Sequence, residues 1–303
     1  MYYCICYGLV IIPFLFIIRE GREEVKKVAK AEVKKQAKEK AKQLTKKQRE
    51  LLNLVFRFRF VTASLVADYY GQPQISGIWV RLEKLVALGM LAKRYDGRYK
   101  IHGRSAEYYV TPAARHELRL VDDTSEREIK QLYGRSSASD RFVTNCLGLL
   151  SIRNQLSRRY GQRLMYMTKV QLNLEKYDYL PKPLPDAFVR LDKSHGSDVG
   201  FFLDYFDDAV SLGIHARRLN LYHQYKEDGE WDDTGADFPV ILAVCQSHNL
   251  AKRLSRRARH FISSEDSDIK VRVVALDDLV AQTGPKWAIW TDPEYEADGK
   301  VAL

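Results

Sequence analysis

Two aspartates have the spacing of a carboxylate pair that could bind a metal ion. Asp186 follows Pro185 directly before a run that predicts a strand, and Asp204 lies near the end of the next strand, within residues 202–207. Carboxylate oxygens brought together on adjacent strands are ligands that Mg²⁺ prefers. A Mg²⁺ ion held there would polarise a phosphodiester and lower the pKa of a bound water. Phosphodiester hydrolysis is therefore the first chemistry to consider.

The residue two positions after the second aspartate argues against hydrolysis. The acid spacing, with a predicted order of helix, three strands, helix and strand, resembles the PD-(D/E)XK nuclease core, which has a lysine at that position. Here the position is Phe206, whose ring cannot orient a water or stabilise developing charge. Asp186 and Asp204 are kept as metal-ligand candidates, no catalytic residue is assigned, and Mg²⁺ is expected only if this site is active. Three cations on the next predicted helix could replace the lysine: Arg217, Arg218 and Lys226.

Other catalytic constellations are missing from the sequence. His215 and His223 lie eight residues apart on one predicted helix and do not form the His-x-His type of metal cluster that a relaxase needs. A glycine-rich phosphate loop of the Walker type is also missing, which argues against an ATP-driven motor. Beyond a conditional Mg²⁺, no cofactor is expected. The four cysteines form no CxxC pair and have no histidine at zinc spacing, which predicts a reduced compartment: Cys4, Cys6, Cys146 and Cys245.

The elements that would position the aspartates are predicted over residues 136–282. A long helix is predicted over 136–160, and the strands and helices that follow it indicate an α/β sandwich. Its last helix, 250–262, turns five cations outward, which could contact a phosphate backbone or an acidic partner or face solvent: Lys252, Arg253, Arg256, Arg257 and Arg259. The predicted strands are 164–174, 187–191, 200–205, 238–245 and 271–275, with another helix over 212–226.

A second group of elements, residues 44–118, predicts a winged helix-turn-helix. Helical patterns cover 45–56, 62–70 and 74–88, and the hydroxyl of Thr45 can cap the first of them. A Gly-Gln-Pro sequence joins the second helix to the third by a tight turn. Two alternating segments around a basic run then predict a β-wing. The usual use of this module is to place its third helix in a DNA groove.

The third helix of this module has an apolar side and a polar side. At about 100° per residue, Trp79 lies at the margin between them and is open to either core packing or DNA contact. The residues expected in the core are Ile75, Ile78, Leu82, Leu85 and Val86. The residues expected to face outward are Ser76, Gly77, Val80, Arg81 and Lys84.

Seven residues are the candidates for DNA contact. Small side chains near the start of the helix allow close approach to DNA, and the cations can bind phosphates and base edges. They are Ser76, Gly77, Arg81 and Lys84 on the helix, with Arg98, Lys100 and Arg104 in the wing. Winged modules also serve as protein adaptors, so the same face has a second interpretation.

The positive charge is concentrated in the first third of the chain. The 303 residues have a formal net charge of +10. Residues 19–50 contain 13 Lys or Arg against 6 acids, and residues 51–118 contain 10 against 5, whereas residues 119–303 contain 26 against 28. Because phosphate binding is driven by such cations, nucleic-acid binding is predicted for the N-terminal part, and the larger half lacks the charge of a general nucleic-acid clamp.

Segments outside the two predicted domains have their own composition. Residues 1–18 are apolar and uncharged, and they are either a membrane anchor at the short limit of length or the product of an over-extended reading frame. Residues 19–43 predict a charged helical spacer, residues 119–135 a linker, and residues 283–303 a C-terminal tail. With cations following the leader, an anchor would hold the chain at the inner face of the cell membrane.

The two domains together resemble the replication-relaxation family. The resemblance covers roughly residues 44–279 and rests on the winged module, on Leu-Pro-Asp-Ala at 184–187, on Phe-Phe-Leu-Asp at 201–204 and on the strand 238–244. It implies DNA binding in plasmid or mobile-element replication and mobilisation, beside a relaxase or replication initiator. The family's strand offers two acids separated by one residue, whereas here Phe206 replaces the second acid and Asp207 lies one position later.

The sequence thus predicts a two-domain α+β or α/β protein, a winged helix-turn-helix followed by a restriction-endonuclease-like domain. Its expected function is that of a cytoplasmic accessory protein that binds double-stranded DNA. The sequence gives no strong evidence that the protein is catalytic. One alternative is a Mg²⁺-dependent endonuclease using Asp186 and Asp204. Another is a membrane-tethered adaptor that uses the winged module to bind protein. The DNA target and the oligomeric state are unknown.

Overall fold

The chain divides into two compact units, Met1–Arg49 and Glu50–Leu303. The computed structural model describes residues 44–120, 126–172, 177–192, 198–265, 267–281, 290–293, 300–301 and 303. The predicted apolar leader (1–18) and charged spacer (19–43) lie outside the described residues, as does most of the tail predicted over 283–303. The first unit is therefore described only at residues 44–49.

The first described helix, α1 (Lys46–Phe58), begins with a capping box. The backbone amide of Gln48 donates to Thr45 Oγ1 at 3.3 Å, and the amide of Thr45 donates to Gln48 Oε1 at 2.8 Å. Each side chain satisfies an amide that would otherwise lack a partner at the helix start. The predicted cap at Thr45 is confirmed, and the helix runs two residues beyond its predicted end.

Two more helices follow, α2 (Ala63–Tyr69) and α3 (Ile75–Ala87). Thr62 caps α2, and both helices end before a glycine with positive φ, Gly71 at +63° and Gly89 at +73°. In each case the residue after the glycine donates to a carbonyl five residues earlier, at 2.8 and 3.0 Å. Glycine adopts this left-handed conformation without the steric cost of a Cβ, so the helix ends predicted from these glycines are confirmed.

Three short strands form an antiparallel sheet beside these helices. They are β1 (Val61–Thr62), β2 (Leu91–Arg94) and β3 (Glu107–Val110), in the order β1-β3-β2. Between β2 and β3, where the sequence predicted only a basic run, the chain forms a short helix, α4 (Gly97–Ile101). The Oδ1 atom of Asp96 accepts hydrogen bonds from the first amides of α4, at 2.9 and 3.2 Å, and so stabilises its start.

The segment predicted as a linker over 119–135 contains helical structure. It includes the end of α5 (Arg115–Arg119), all of α6 (Glu126–Lys130) and most of a 3₁₀ segment, Gln131–Ser137. Ile129 and Leu132 are buried, each 1% exposed. Burial of these two apolar side chains holds the segment against the rest of its unit.

A larger mixed sheet follows the long helix α7 (Asp140–Tyr160). The predicted order of helix, three strands, helix, strand, helix and strand is confirmed, as is the mixed helix-and-sheet class. Further helices are α8 (Leu212–Glu227), α9 (His248–Ser264) and α10 (Leu276–Ala281). The strands are β4 (Leu164–Thr168), β5 (Ala187–Leu191), β6 (Val199–Phe206), β7 (Val240–Cys245), β8 (Val271–Ala275), β9 (Trp290–Thr291) and β10 (Lys300–Val301).

The sheet order is β10-β9-β8-β7-β6-β5-β4, and β6, β7 and β8 run parallel to one another. Strand β6 has a hydrophobic core on each face of the sheet. Phe202 and Phe206 pack on the face covered by α8 and α9, whereas Phe201 and Leu203 pack on the face covered by α7. Successive side chains of a strand point to opposite faces, so a central strand between two helical layers is buried along most of its length, here from Phe201 to Phe206.

Helix α7 also contacts the elements that precede it. Its Val143 and Cys146 form a buried cluster with Phe60, which follows α1. The side-chain amide of Asn154 donates to the carbonyl of Leu65 in α2 at 3.0 Å. Within the unit Glu50–Leu303, α7 therefore packs against the segment of Phe60 and α2 on one side and against the seven-stranded sheet on the other.

Two general features of the described residues concern the helices and the cysteines. None of the helices in the described ranges is long and apolar enough to cross a membrane. Cys146 and Cys245 are buried free thiols, and burial raises the pKa of Cys146 to about 11 and that of Cys245 to about 12. Both cysteines therefore stay protonated at neutral pH and behave as core residues.

Candidate functional site

The outward face of α3 contains the four helical residues predicted to contact DNA. Their side chains are exposed, on the side of the helix opposite the buried Ile78, Leu82 and Leu85. The exposed set is Ser76, Gly77, Arg81 and Lys84. The prediction of which residues face outward is correct for this set, whereas DNA contact itself stays a prediction.

The exposed surface of α3 is more apolar than the sequence predicted. Ile75 was expected in the core and is 48% exposed, so that expectation is wrong. Trp79 and Val80 are 51% and 56% exposed. Ile75 is the first residue of α3, and burial on its side of the helix begins at Ile78, which is 0% exposed. The exposed surface of α3 therefore includes three large apolar side chains as well as the two cations.

In the predicted wing, the cations differ in their surroundings. Arg98 and Lys100 are exposed on α4. Arg104, in contrast, donates from Nη2 to Glu107 Oε1 at 2.8 Å and lies 4.5 Å above the centre of the Tyr99 ring. The third predicted wing cation is thus engaged within the protein, and its guanidinium supports the local fold.

Glu107 is the buried centre of this arrangement. Its side chain is 3% exposed, and Tyr99 Oη donates to its Oε2 at 2.7 Å. Arg94 approaches the same carboxylate at 3.9 Å and also pairs with Asp140 at the start of α7. A buried carboxylate requires such partners because it has lost its water, so these contacts anchor β3 to α4 and to α7.

The structure brings Asp186 and Asp204 together. In the β5–β6 pair Ala187 lies opposite Leu203, so Asp186 and Asp204 follow as the next opposed positions. The amide of Asp186 donates to Asp204 Oδ1, and the amide of Tyr205 donates to Asp186 Oδ2, each at 3.1 Å. The adjacency predicted from sequence is correct, and each carboxylate accepts a bond from the opposite backbone.

Asp204 also has a cationic partner. Arg218 of α8 donates from Nε to Asp204 Oδ2 at 2.7 Å and from Nη2 to Oδ1 at 3.2 Å. Tyr222 donates its hydroxyl to Asp204 Oδ2 at 2.8 Å. Arg218 was one of the three cations considered as replacements for the missing lysine. It forms a two-point ion pair with the acid, a geometry that the planar guanidinium favours.

The pKa values of the two aspartates are pushed apart. For Asp186, burial and then the charge of Asp204 raise the pKa to about 6. For Asp204, burial acts to raise the pKa, but the charge and hydrogen bonds of Arg218 and the bond from Tyr222 outweigh it and lower the pKa. At neutral pH Asp204 is therefore firmly ionised, while Asp186 titrates just below neutrality.

This donor set does not fit a divalent cation. Both oxygens of Asp204 accept bonds from the protein, and the described residues contain no cluster of three His, Cys, Asp or Glu side chains placed to hold a metal. Phe206, in the lysine position of the nuclease motif, is buried and packs edge-on against the His215 ring, with the ring centres 4.9 Å apart. The geometry is that of an internal ion pair.

Two neighbours of the acid pair were not among the residues predicted from the sequence. Lys169 Nζ lies 3.9 Å from Asp186 Oδ1, and Tyr222 contacts Asp204. Lys169 follows β4, and 16 residues separate it from Asp186 along the chain. Its approach depends on how β4 pairs with β5. The spacing of Arg218 and Tyr222, four residues apart on a helix, was a usable signal because such residues share one face.

Comparison with known proteins decides the family. A family model described as replication-relaxation matches residues 52–241, more than half of the chain. The chain belongs to the replication-relaxation family. The matched range includes α3 and both aspartates, and it ends within β7, before the basic helix α9. Comparison with curated proteins and with solved structures gives no match. Membership of the replication-relaxation family supports a role in replication or relaxation.

Proposed function

We propose that this chain is a DNA-binding accessory protein in plasmid or mobile-element replication, relaxation or mobilisation. In this proposal residues 44–118 are a winged helix-turn-helix that binds double-stranded DNA through α3. The observation that carries the proposal is the exposed face of α3, where Arg81 and Lys84 project opposite a buried apolar side. The net charge of +5 over residues 51–118 gives the region the field that attracts DNA.

The chemistry of this face suits a DNA groove. Ser76 and Gly77 have small side chains at the start of α3, so the helix end can come close to a phosphate or a base edge. Arg81 can bind a guanine edge or a phosphate, and Lys84 can bind a phosphate. Trp79 and Val80 offer apolar surface that can contact the methyl group of thymine. Arg98 and Lys100 extend the positive surface onto α4.

The remainder of the unit is proposed to be a PD-(D/E)XK-like platform that does not cleave DNA. The order of α7, β4, β5, β6, α8 and β7 supports the likeness. Pairing of Asp204 with Arg218, and the presence of Phe206 at the lysine position, argue against hydrolysis. Such a platform would hold a relaxase or a replication initiator beside the DNA, in the cytoplasm. The anchor predicted at residues 1–18 is a separate proposal.

One observation favours a second candidate, a protein adaptor. Ile75, Trp79 and Val80 expose apolar surface on one helix, and such patches often mark protein interfaces. An adaptor would use this apolar surface, and Arg81 and Lys84 would be peripheral to it. Loss of duplex binding on removal of the two cations therefore separates the two candidates.

The deciding experiment is a gel-shift titration of duplex DNA with the full chain and with Arg81→Ala/Lys84→Ala. If Arg81 or Lys84 binds a base edge, the double variant should weaken binding by about 1 to 3 kcal/mol for each such bond, and the dependence of affinity on salt should become shallower. The matched control is Lys130→Ala/Arg163→Ala, which removes two exposed cations elsewhere. Equal affinity of both double variants and the unaltered chain would remove α3 as the DNA-binding helix. Supercoiled and linear DNA, with and without Mg²⁺, would report any cleavage.

A further inference from the structure

A cavity of about 200 Å³ lies between the end of α1, helix α7 and the edge strand β4. It is lined by Arg57, Arg153 and Tyr166, among other residues. The cavity is distinct from the exposed face of α3. A smaller neighbouring cavity shares Arg57 and Tyr166 with it and reaches Lys169 and Asp186. The cavity thus lies within the unit Glu50–Leu303, close to the acid pair.

The charge of the cavity wall is positive. Arg57 and Arg153 both line it, whereas its lining includes no carboxylate among the described residues. The guanidinium of Arg153 lies 3.7 Å from the centre of the Tyr69 ring, which fixes its position. Burial lowers the pKa of Arg153, and the nearby charge of Asp68 only partly offsets this effect. An anion in the cavity would restore that lost stabilisation.

The neutral groups of the wall are donors as well. The hydroxyl of Tyr166 is buried and has no hydrogen-bond partner among the described residues. Burial and the charge of Asp186 raise the pKa of Tyr166, so its hydroxyl keeps its proton. The Oε1 atom of Gln171 accepts from the amide and hydroxyl of Thr168, both at 3.1 Å, which leaves its NH₂ group as a donor. Two cations and two neutral donors therefore meet at one cavity.

We propose that this cavity binds a phosphate group, with Arg57 and Arg153 supplying charge and Tyr166 supplying a neutral hydrogen bond. Guanidinium groups bind phosphate oxygens through short charge-assisted hydrogen bonds. The volume is sufficient, because a water molecule takes about 30 Å³ in the liquid and a phosphate group only a few times that. The phosphate is either a diester of a nucleic-acid backbone or a monoester at a strand end or on a free molecule. The site does not depend on DNA binding by α3.

The test follows thermal unfolding of the full chain while sodium phosphate replaces sodium chloride at constant ionic strength. Phosphate stabilises most proteins slightly by exclusion from their surface, and that effect should be the same in all variants. Binding adds a saturable rise in melting temperature. The rise should be present in the unaltered chain and in the control Arg217→Gln, an exposed cation of α8, and lost in Arg57→Gln and Arg153→Gln.

Tyr166→Phe protects the test against a variant that fails to fold. It removes a hydroxyl without a partner, so the melting temperature in chloride should be unchanged or higher. Its phosphate affinity should fall by about tenfold or more, the usual effect of losing one hydrogen bond to a charged group. Two results would overturn the proposal. One is that the unaltered chain shows no saturable rise in melting temperature with phosphate, and the other is that the rise is equal in the unaltered chain and in all the variants.

Short oligothymidylates separate the two sources of phosphate. An Arg153-dependent rise with an oligonucleotide that ends in a 5′-hydroxyl identifies the backbone diester as the ligand. A rise limited to inorganic phosphate and to the 5′-phosphorylated oligonucleotide identifies a monoester. Arg81→Ala/Lys84→Ala should keep the phosphate response, so failure of the α3 proposal and failure of this one give different results.

Discussion

The guanidinium of Arg218 and the carboxylate of Asp204 form a two-point ion pair, with Nε–Oδ2 at 2.7 Å and Nη2–Oδ1 at 3.2 Å. The side chains are 13% and 7% exposed, so the pair is almost fully removed from water. Arg218 also donates to the carbonyl of Pro183 at 2.6 Å. The pair therefore ties helix α8 both to strand β6 and to the segment that leads into β5.

Removal of either partner should destabilise the fold. Arg218→Gln leaves a buried carboxylate without its cation, and Asp204→Asn leaves a nearly buried guanidinium without its anion. Each should lower the free energy of unfolding by about 3 to 5 kcal/mol. In urea unfolding, the double variant should lose less than the sum of the two, because the second change removes a charge that is already unpaired. The exposed neighbour Arg217→Gln should change stability by less than about 0.5 kcal/mol. Additive losses would contradict the pairing.

Divalent cations should stabilise the protein little. Mg²⁺ would have to displace Arg218 from Asp204, and the displaced guanidinium would lose its buried carboxylate. We expect millimolar Mg²⁺ or Mn²⁺ to leave the melting temperature nearly unchanged and plasmid DNA uncut. A metal site, with the metal at a concentration one hundred times its dissociation constant, would raise the free energy of unfolding by about 2.7 kcal/mol. Calorimetric scans would detect a change of that size. A large rise with Mn²⁺ that Asp204→Asn removes, together with nicking, would support the endonuclease instead.

The free energy of unfolding should fall as the pH rises from about 4 to about 6, because Asp186 loses its proton in this range. Its pKa in the folded protein, about 6, lies above the ordinary value of 3.8. The folded state therefore binds more protons than the unfolded state in this window, and stability is lost as the pH rises through it. Because this side chain is 25% exposed, the loss should be only about 1 to 3 kcal/mol.

Asp186→Asn tests that dependence, because the amide keeps an oxygen that can accept from the Tyr205 amide. The variant should be more stable than the unaltered chain at pH 8, and the difference should shrink towards pH 4. Urea unfolding at several pH values measures both curves. A difference that stays constant with pH would mean that Asp186 does not titrate in this range.

Arg104 should act on stability more than on DNA affinity. Arg104→Ala removes one of the partners of the buried Glu107, although Tyr99 still donates to that carboxylate. Loss of this charge-assisted bond should cost about 1.5 to 3 kcal/mol. Arg98→Ala, on the exposed surface of α4, should leave stability within about 0.5 kcal/mol and weaken duplex binding. Chemical denaturation and gel shifts of the two variants, run side by side, would reveal a reversed order if Arg104 were the DNA contact.

The sequence by itself determined the local elements. Periodicity and capping residues predicted α1, α2 and α3, because a helix repeats every 3.6 residues and ends where a left-handed residue is needed. The strands of the larger sheet were also predictable: β5 and β8 have their predicted bounds, since runs of apolar residues between turns indicate buried strands. The opposed positions of Asp186 and Asp204 followed from the order of those strands.

Only the tertiary structure decided what surrounds these elements. Ile75, the first residue of α3, is exposed although it lies on the apolar side of the helical wheel, because a helical wheel contains no information about neighbours. Arg218, rather than Arg217 or Lys226, reaches Asp204 because α8 packs against the sheet with the Arg218 side of the helix turned towards β6. The cavity of Arg57, Arg153 and Tyr166 joins residues from distant parts of the chain. Such contacts depend on the packing of whole elements against one another, and local residue patterns do not encode that packing.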